Sequence, residues 1–480
     1  MQILDRRLIG ALVLFVAFIS AHQRTFAQAS AAQQQMARDI YRELVETNTV
    51  TETGDTASAA DAMAARLRSA GFAEQDVQVF KPAPRKGNLV ARLHGTGKRR
   101  PILLLAHLDV VEAKPEDWSV DPFKFLEKDG YFYGRGSFDD KSMAAIFVAN
   151  LIRYREEGLR PDRDIIVVLE TDEEILDVNE VGIRWLLKNH RDLIDAEFAL
   201  NEGGPAYSKN GKPLVNRVQT SEKVSVTYRL ETRNPGGHSS LPSRDNAIYH
   251  MADALGRLAR YDFPVTLNET TRNYLEAMSK LEEGQLAADL RVATSGEATS
   301  DKADSEAVSR LSSRPLYNSQ LRTTCVATML EGGHAYNALP QLARATVNCR
   351  VLPGESVDDV QKTLVKVIAD DRISVEQIGR YNLSPPSALT PEIERAMEEL
   401  SAEFWPGVPL LRIMSPGATD GAYLRSAGIP TYGNSGLLVD IYDNRFHGKD
   451  ERMGVKSFYD GLEYLYRLVK RLSSAGPASP

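Results

Sequence analysis

Apolar residues are arranged along the chain in two textures. Up to about residue 218, short unbroken apolar runs alternate with helical patterns. Residues from about 33 to 70 carry the three-to-four spacing of an amphipathic helix, with Ile40, Leu44, Met63 and Leu67 at apolar positions and Gly71 ending it. Apolar runs follow at 88–93, 102–106 and 131–133, then a helical stretch from 141 to about 157 and a further run at 165–170. The run Ile102-Leu103-Leu104-Leu105-Ala106 has no polar alternation, which predicts a strand buried on both faces. Such alternation of strands and helices predicts a layered α/β unit with a mostly parallel sheet. Near residue 219 the texture changes. Residues 224–230 alternate apolar and polar, as do 323–330 and 343–352, and a helix is expected over 357–370. That is the pattern of an α+β unit whose antiparallel sheet carries helices on one face. The stretch from about 280 to 315, rich in Ala, Ser, Glu and Asp, reads as a surface helical insertion. Pro385-Pro386 mark a return, and from about 388 the first texture resumes. The expected organisation is therefore 30–218 and 388–480 as one α/β domain, interrupted by an α+β domain at 219–387.

Composition narrows the class. A chain of 480 residues is too long for one core, and 42% hydrophobic with 26% charged residues excludes both wholesale disorder and a membrane bundle. The net charge of -7, without a long basic run, argues against nucleic acid as a partner. At the N-terminus Arg6 and Arg7 precede an apolar run over 8–21 and then Ala27-Gln28-Ala29, the signature of a signal peptide over 1–29. The folded part is then expected in the periplasm or outside the cell, without stable membrane association once the leader is cut. Only Cys325 and Cys349 occur, so no cysteine-based metal site is available and any metal must use His and carboxylates. The two lie symmetrically about Asn337, as cross-strand partners in a hairpin would, which leaves their pairing open.

The candidate chemistry lies at the ends of the apolar runs. His107 follows a buried strand, and in extended chain it shares a face with Asp109, whose carboxylate can take an imidazole N–H and aim the other nitrogen at a metal. Gly134-Arg135-Gly136-Ser137-Phe138-Asp139-Asp140-Lys141 holds carboxylates in a tight loop before a helix. Thr171-Asp172-Glu173-Glu174 places acids where open α/β sheets form their ligand crevices, and adjacent glutamates can divide labour between metal ligand and general base. Glu202 ends the next apolar run, and His447 stands in a polar loop near the C-terminus. Two His and three carboxylates, one of them shared, suit two divalent ions: zinc first, with manganese or cobalt also fitting. Two such ions about 3.5–4 Å apart make a shared water acidic enough to attack near neutral pH and polarise a scissile carbonyl.

These residues resemble the co-catalytic metallopeptidase family that includes glutamate carboxypeptidase, carboxypeptidase S, aminoacylase and succinyl-diaminopimelate desuccinylase. The likeness runs over nearly the whole mature chain. It rests on His107-x-Asp109, Gly134-Arg135-Gly136-x-x-Asp139-x-Lys141, Asp172-Glu173-Glu174, Asn201-Glu202-Gly203-Gly204, Gly236-Gly237-His238-Ser239-Ser240 and His447-Gly448-x-Asp450-Glu451. The resemblance implies a three-layer catalytic domain interrupted by a ferredoxin-like lid. It implies that Asp139 bridges two zinc ions, with His107 and Glu202 completing one site and Glu174 and His447 the other. Glu173 becomes the general base, Asp109 orients His107, and His238 reaches an active site, across a homodimer built through the lid, to stabilise the oxyanion. Ser142 stands where many relatives have glycine. Asn337, Arg350 and Thr419 match substrate-contacting positions, and a guanidinium suits a terminal carboxylate. The implied activity is hydrolysis of a peptide or N-acyl amide bond beside a free carboxylate, of carboxypeptidase or dipeptidase type. The alternatives are an N-acyl amino acid deacylase or other small-amide hydrolase, and a non-catalytic metal- or peptide-binding protein. An intact Glu173 counts against the last, since a binding protein has no need of a general base.

Overall fold

The computed structural model describes residues 28–175, 178–295, 302–443 and 445–474. Most of the expected leader lies outside them, and among the described residues no helix is long and apolar enough to cross a membrane.

The large sheet has ten strands. Its centre is parallel, as expected: Ile102–His107 lies between Ile165–Glu170 and Phe198–Asn201, and Thr431–Gly433 continues beyond the latter. Lys86–Leu93 is antiparallel to its neighbours on one side, and on the other Lys212–Glu222 runs antiparallel to Thr431–Gly433 and Ala206–Lys209 but parallel to Leu410–Ser415, so the sheet is mixed. The absence of polar alternation in the central strands has a direct cause. Ile102, Leu104 and Ala106 pack into one core with helices Ala31–Glu46, Lys141–Glu156 and Val455–Ser473, while Leu103 and Leu105 face a second core under helix Ile183–Asn189. These are three layers, with the polar residues deferred to the strand ends.

The helical pattern over 33–70 resolves into two helices, Ala31–Glu46 and Thr56–Ser69. Between them Thr47, Thr49, Val50 and Thr51 are β-branched residues that favour extended chain, and Asp55 caps the second helix by accepting from the Ser58 N–H at 2.9 Å.

Beyond Glu222 the chain enters a separate four-stranded antiparallel sheet. Val224–Arg233, Thr324–Gly332, Leu342–Val351 and Ile373–Ile378, with helices Ala247–Leu258 and Val357–Ile368, follow one another as β-α-β-β-α-β. The strand order, with the second strand at one edge and the fourth at the other, is the ferredoxin-like arrangement. Alternate residues Val224, Val226, Tyr228 and Leu230 supply its own core under the two helices. Cys325 and Cys349 are directly opposed across neighbouring strands and form a disulfide.

The insertion is not a surface appendage. Helix Glu269–Leu281 packs against strand Leu410–Ser415 of the large sheet, and helices Gly284–Thr294, Lys302–Ser312 and Pro315–Leu321 follow, each packed on the one before it. Tyr274, Leu275, Met278 and Leu321 share a core there with Ile413.

Candidate active site

Both metal-ligand clusters expected from the sequence come together at the ends of the central strands. Donor atoms of His107, Asp139 and Glu202 lie within 4.8 Å of one another, as do those of Asp139, Glu174 and His447, and Asp139 is common to both. His107 Nε2 is 3.0 Å from Asp139 Oδ1 and 3.7 Å from Glu202 Oε2. His447 Nε2 is 3.3 Å from Asp139 Oδ2 and 3.0 Å from Glu174 Oε2.

The buried His107 ring is held by backbone. Its Nδ1 donates to the Asp109 carbonyl oxygen at 2.9 Å, while the Asp109 carboxylate stands 3.8 Å away. The sequence expectation that this carboxylate takes the imidazole N–H is therefore corrected. The Asp109 carboxylate instead accepts from the Glu173 and Glu174 N–H groups at 3.2 and 3.1 Å and from the Thr51 hydroxyl at 3.0 Å. It fixes the short 3₁₀ turn Glu173–Ile175, whose free N–H groups outcompete a ring already satisfied by a carbonyl.

The electrostatics show what this donor set fits. With Nδ1 donating, the remaining lone pair on neutral His107 Nε2 would face two carboxylate oxygens, an arrangement that a cation between them resolves. Burial alone would lower the His107 pKa, but Asp139 and Glu202 outweigh it and raise it well above the ordinary value. Burial, together with repulsion from Asp139, pushes Glu174 up to about 7 despite the opposing His447. Burial and the nearby Glu202 raise Glu173 well above the carboxylate range. Crowded acids and two imidazoles with N/O donors are the chemistry of a site for two divalent ions.

The loop carrying Asp139 is shaped by Glu451, to which the sequence reading gave no role. Its buried carboxylate accepts from the N–H groups of Gly136 (3.1 Å), Phe138 (2.8 Å) and Asp139 (3.1 Å) and from the Arg135 guanidinium at 2.6 Å. Arg135 also donates to the Gly448 carbonyl at 3.0 Å, so one buried ion pair ties the Asp139 loop to the His447 loop. The only sequence signal for this knot is that Arg135 and Glu451 both fall inside motifs carrying ligands.

A cavity of about 1190 Å³ opens beside the two clusters and is lined by Glu173, Arg350 and Thr419 as well as by Asp139, Glu174, Glu202 and His447. Burial lowers the Arg350 pKa, against the opposing pull of Glu173 and Glu222. Among the described residues no carboxylate lies within ion-pair distance of Arg350. Thr419 is fixed from behind, its N–H and hydroxyl donating to buried Glu222 at 2.9 and 3.0 Å; Glu222 also pairs with Arg425 at 2.9 Å. His238 and Asn337 stand elsewhere. His238 lies in a short two-stranded ribbon, Gly237–His238 with Ala338–Leu339, and Asn337 directly precedes its second strand; neither lines the cavity of its own chain. His238 Nδ1 accepts from the Ser240 N–H at 3.2 Å.

The comparisons with known proteins agree with this geometry. The chain is 28% identical over 384 residues to the human N-fatty-acyl-amino acid synthase/hydrolase PM20D1, covering 77% of this chain and 74% of the relative. It is 27% identical over 394 residues to a probable carboxypeptidase S-like protein of Dictyostelium discoideum, covering 77% and 71%. The fold matches that of the M20 family metallo-carboxypeptidase Sso-CP2 from Sulfolobus solfataricus with a TM-score of 0.68 at 17% identity, over 90% of this chain and 98% of the other. The model of peptidase family M20/M25/M40 matches residues 103–471, and with its paired His and carboxylate clusters the chain belongs to that family of metallopeptidases and amidohydrolases.

Proposed function

We propose that this chain hydrolyses the amide bond of an N-acyl amino acid or short peptide beside a free carboxylate. The observation that carries the reading is Arg350, a largely buried guanidinium with no carboxylate partner among the described residues, lining the cavity that Glu173, Asp139, Glu174, Glu202 and His447 also line. A substrate carboxylate satisfies Arg350 through charge-assisted hydrogen bonds, and Thr419, locked by Glu222, lines the same cavity. His107, Asp139 and Glu202 would hold one ion, and Asp139, Glu174 and His447 the other. Zinc suits these donors first; cobalt and manganese also suit them. When bound, the pair supplies Lewis acidity toward the scissile carbonyl and toward water. Glu173 takes the proton from the attacking water and returns it to the leaving amine, and Asp109 holds Glu173 in place through the backbone. The names of relatives, a carboxypeptidase S-like protein and an N-fatty-acyl-amino acid synthase/hydrolase, support an amide substrate with an amino acid on one side.

His238 and Asn337 act in this reading on the cavity of a second copy. The exposed edge strand Thr324–Gly332, with Val326, Met329 and Leu330 in solvent, supports pairing through the small sheet. The leader over 1–29 places the mature chain outside the cytoplasm.

The test is metal content by mass spectrometry together with hydrolysis of a panel of N-acyl amino acids and dipeptides, with Glu173→Ala alongside. About two ions per chain, and hydrolysis lost in the variant while metal is retained, is the expected result. A chain that binds less than about one ion and hydrolyses nothing after reconstitution with zinc, cobalt or manganese refutes the proposal.

A further inference from the structure

The cavity is larger than a dipeptide site requires, since ordinary small-molecule pockets occupy about 300–1,000 Å³ and this one measures about 1190 Å³. From Glu202 the chain runs through Gly203-Gly204-Pro205 into strand Ala206–Lys209, which pairs in parallel with Leu438–Asp440 so that Tyr207 and Val439 are neighbours. Val439, Ile441, Ile413, Tyr274 and Leu316 are apolar residues of the cavity lining, and Tyr274, Ile413 and Ile441 belong to one apolar cluster. Two of them, Tyr274 and Leu316, come from the helical insertion. Ile413 and Ile441 pack into the insertion's own core.

The wall is fixed in place. Lys209 and Glu282 form an ion pair at 2.6 Å between strand Ala206–Lys209 and the insertion. Gln320 donates to the Met414 carbonyl at 3.2 Å, tying helix Pro315–Leu321 to the large sheet. The guanidinium of Arg217, the cation on this side, lies 3.3 Å over the Tyr207 ring and donates from Nε to the Pro205 carbonyl at 2.7 Å, so its charge is already engaged.

Resting on the function proposed above, we infer that the helical insertion is an acyl-chain gauge. It walls an arm that takes the long apolar acyl group of an N-acyl amino acid, and helix Pro315–Leu321 sets the chain length admitted. Leu316 and Ser319 are three residues apart on that helix, both line the cavity, and Ser319 is the small one. Each methylene enclosed by the arm raises kcat/KM about fourfold, until the wall is reached.

The experiment measures kcat/KM for one amino acid acylated with acetyl, hexanoyl, dodecanoyl and hexadecanoyl groups. It compares wild type, Ser319→Trp and Leu316→Ala, with metal content as the control for folding. In parallel, calorimetry follows binding of dodecanoate. Wild type is expected to favour long chains over acetyl by at least tenfold. Ser319→Trp is expected to lower the long-to-short ratio and weaken dodecanoate binding by at least tenfold, and Leu316→Ala to shift the optimum to longer chains. A wild type that hydrolyses the acetyl substrate or dipeptides with no gain from chain length overturns the gauge and leaves the amide-hydrolase proposal standing. The gauge is also overturned if both variants, with metal retained, keep the wild-type ratio and dodecanoate affinity. No hydrolysis of any substrate by metal-loaded wild type overturns both.

Discussion

Replacing Glu451 with glutamine removes one charge and almost no volume, and it tests how the Asp139 loop is built. The wild-type carboxylate accepts four donors: three backbone N–H groups on one loop and the Arg135 guanidinium. Both members of the ion pair are buried, at 1% and 2% exposure, so water does not readily replace what is lost. A glutamine amide has one acceptor oxygen, and its NH₂ must then face N–H donors, leaving part of the set unsatisfied and Arg135 without its counter-charge. Breaking one partner of such a buried pair costs about 3–5 kcal/mol. With an unfolding entropy of about 2.1 cal/mol/K per residue, a cooperative unit of this size loses about 1 °C per kcal/mol, so the melting temperature should fall by about 3–5 °C. The same loop aims Asp139, so metal affinity should weaken about 10- to 100-fold. Thermal denaturation of the metal-free protein and competition against a chelator measure the two effects separately. A Glu451→Gln protein with wild-type melting temperature and wild-type metal affinity would refute this account of the loop.

Arg350→Met should raise KM about 10- to 150-fold, the loss of about 1.5–3 kcal/mol from a charge-assisted contact, for substrates with a free carboxylate. It should leave their carboxamide analogues little changed; equal losses for both would remove Arg350 from carboxylate binding. Reducing the Cys325–Cys349 disulfide, which closes a loop with a sequence separation of 24, should destabilise the small sheet by about 3 kcal/mol, read as an earlier urea transition with bound metal retained. Lys223 is buried and its pKa is held down to about 7 from 10.5 by that burial, against the opposing pull of Glu355. Between those values the unfolded chain keeps a proton that the folded chain has shed, so this residue's contribution to stability rises as pH climbs from about 7 to about 10. Thermal melts over that range should show Lys223→Met losing the slope.

The strand-end residues were legible in the sequence because a strand buried on both faces tolerates polar side chains only where it stops, and His107, Glu174 and Glu202 all follow apolar runs. Three strands of the small sheet were legible for the same reason in reverse, since one wet face imposes alternation on Val224–Arg233, whereas helix Ala247–Leu258 and strand Ile373–Ile378 were not read from the pattern and the full β-α-β-β-α-β order was only implied by the family resemblance. Three things were hidden. The break between the first two helices was masked because the β-branched run Thr49-Val50-Thr51 sits inside otherwise helical spacing. The partner of the Asp109 carboxylate could not be read, since alternation gives the face of a side chain but not the competition from nearby N–H groups. The seat of the helical insertion was hidden because Tyr274 meets Ile413, far along the chain, and composition does not encode such a contact.

The strand Thr431–Gly433 has a consequence for the order in which the protein becomes itself. It lies inside the large sheet between Phe198–Asn201 and Lys212–Glu222, yet it is synthesised after the whole small sheet. A growing chain on the ribosome can therefore close the small sheet early while the large one waits in two halves, each with an open edge. His447 and Glu451 follow still later. The second ligand cluster waits for residue 447, and a chain cut short before residue 431 has neither a continuous sheet nor the His447 that completes that cluster.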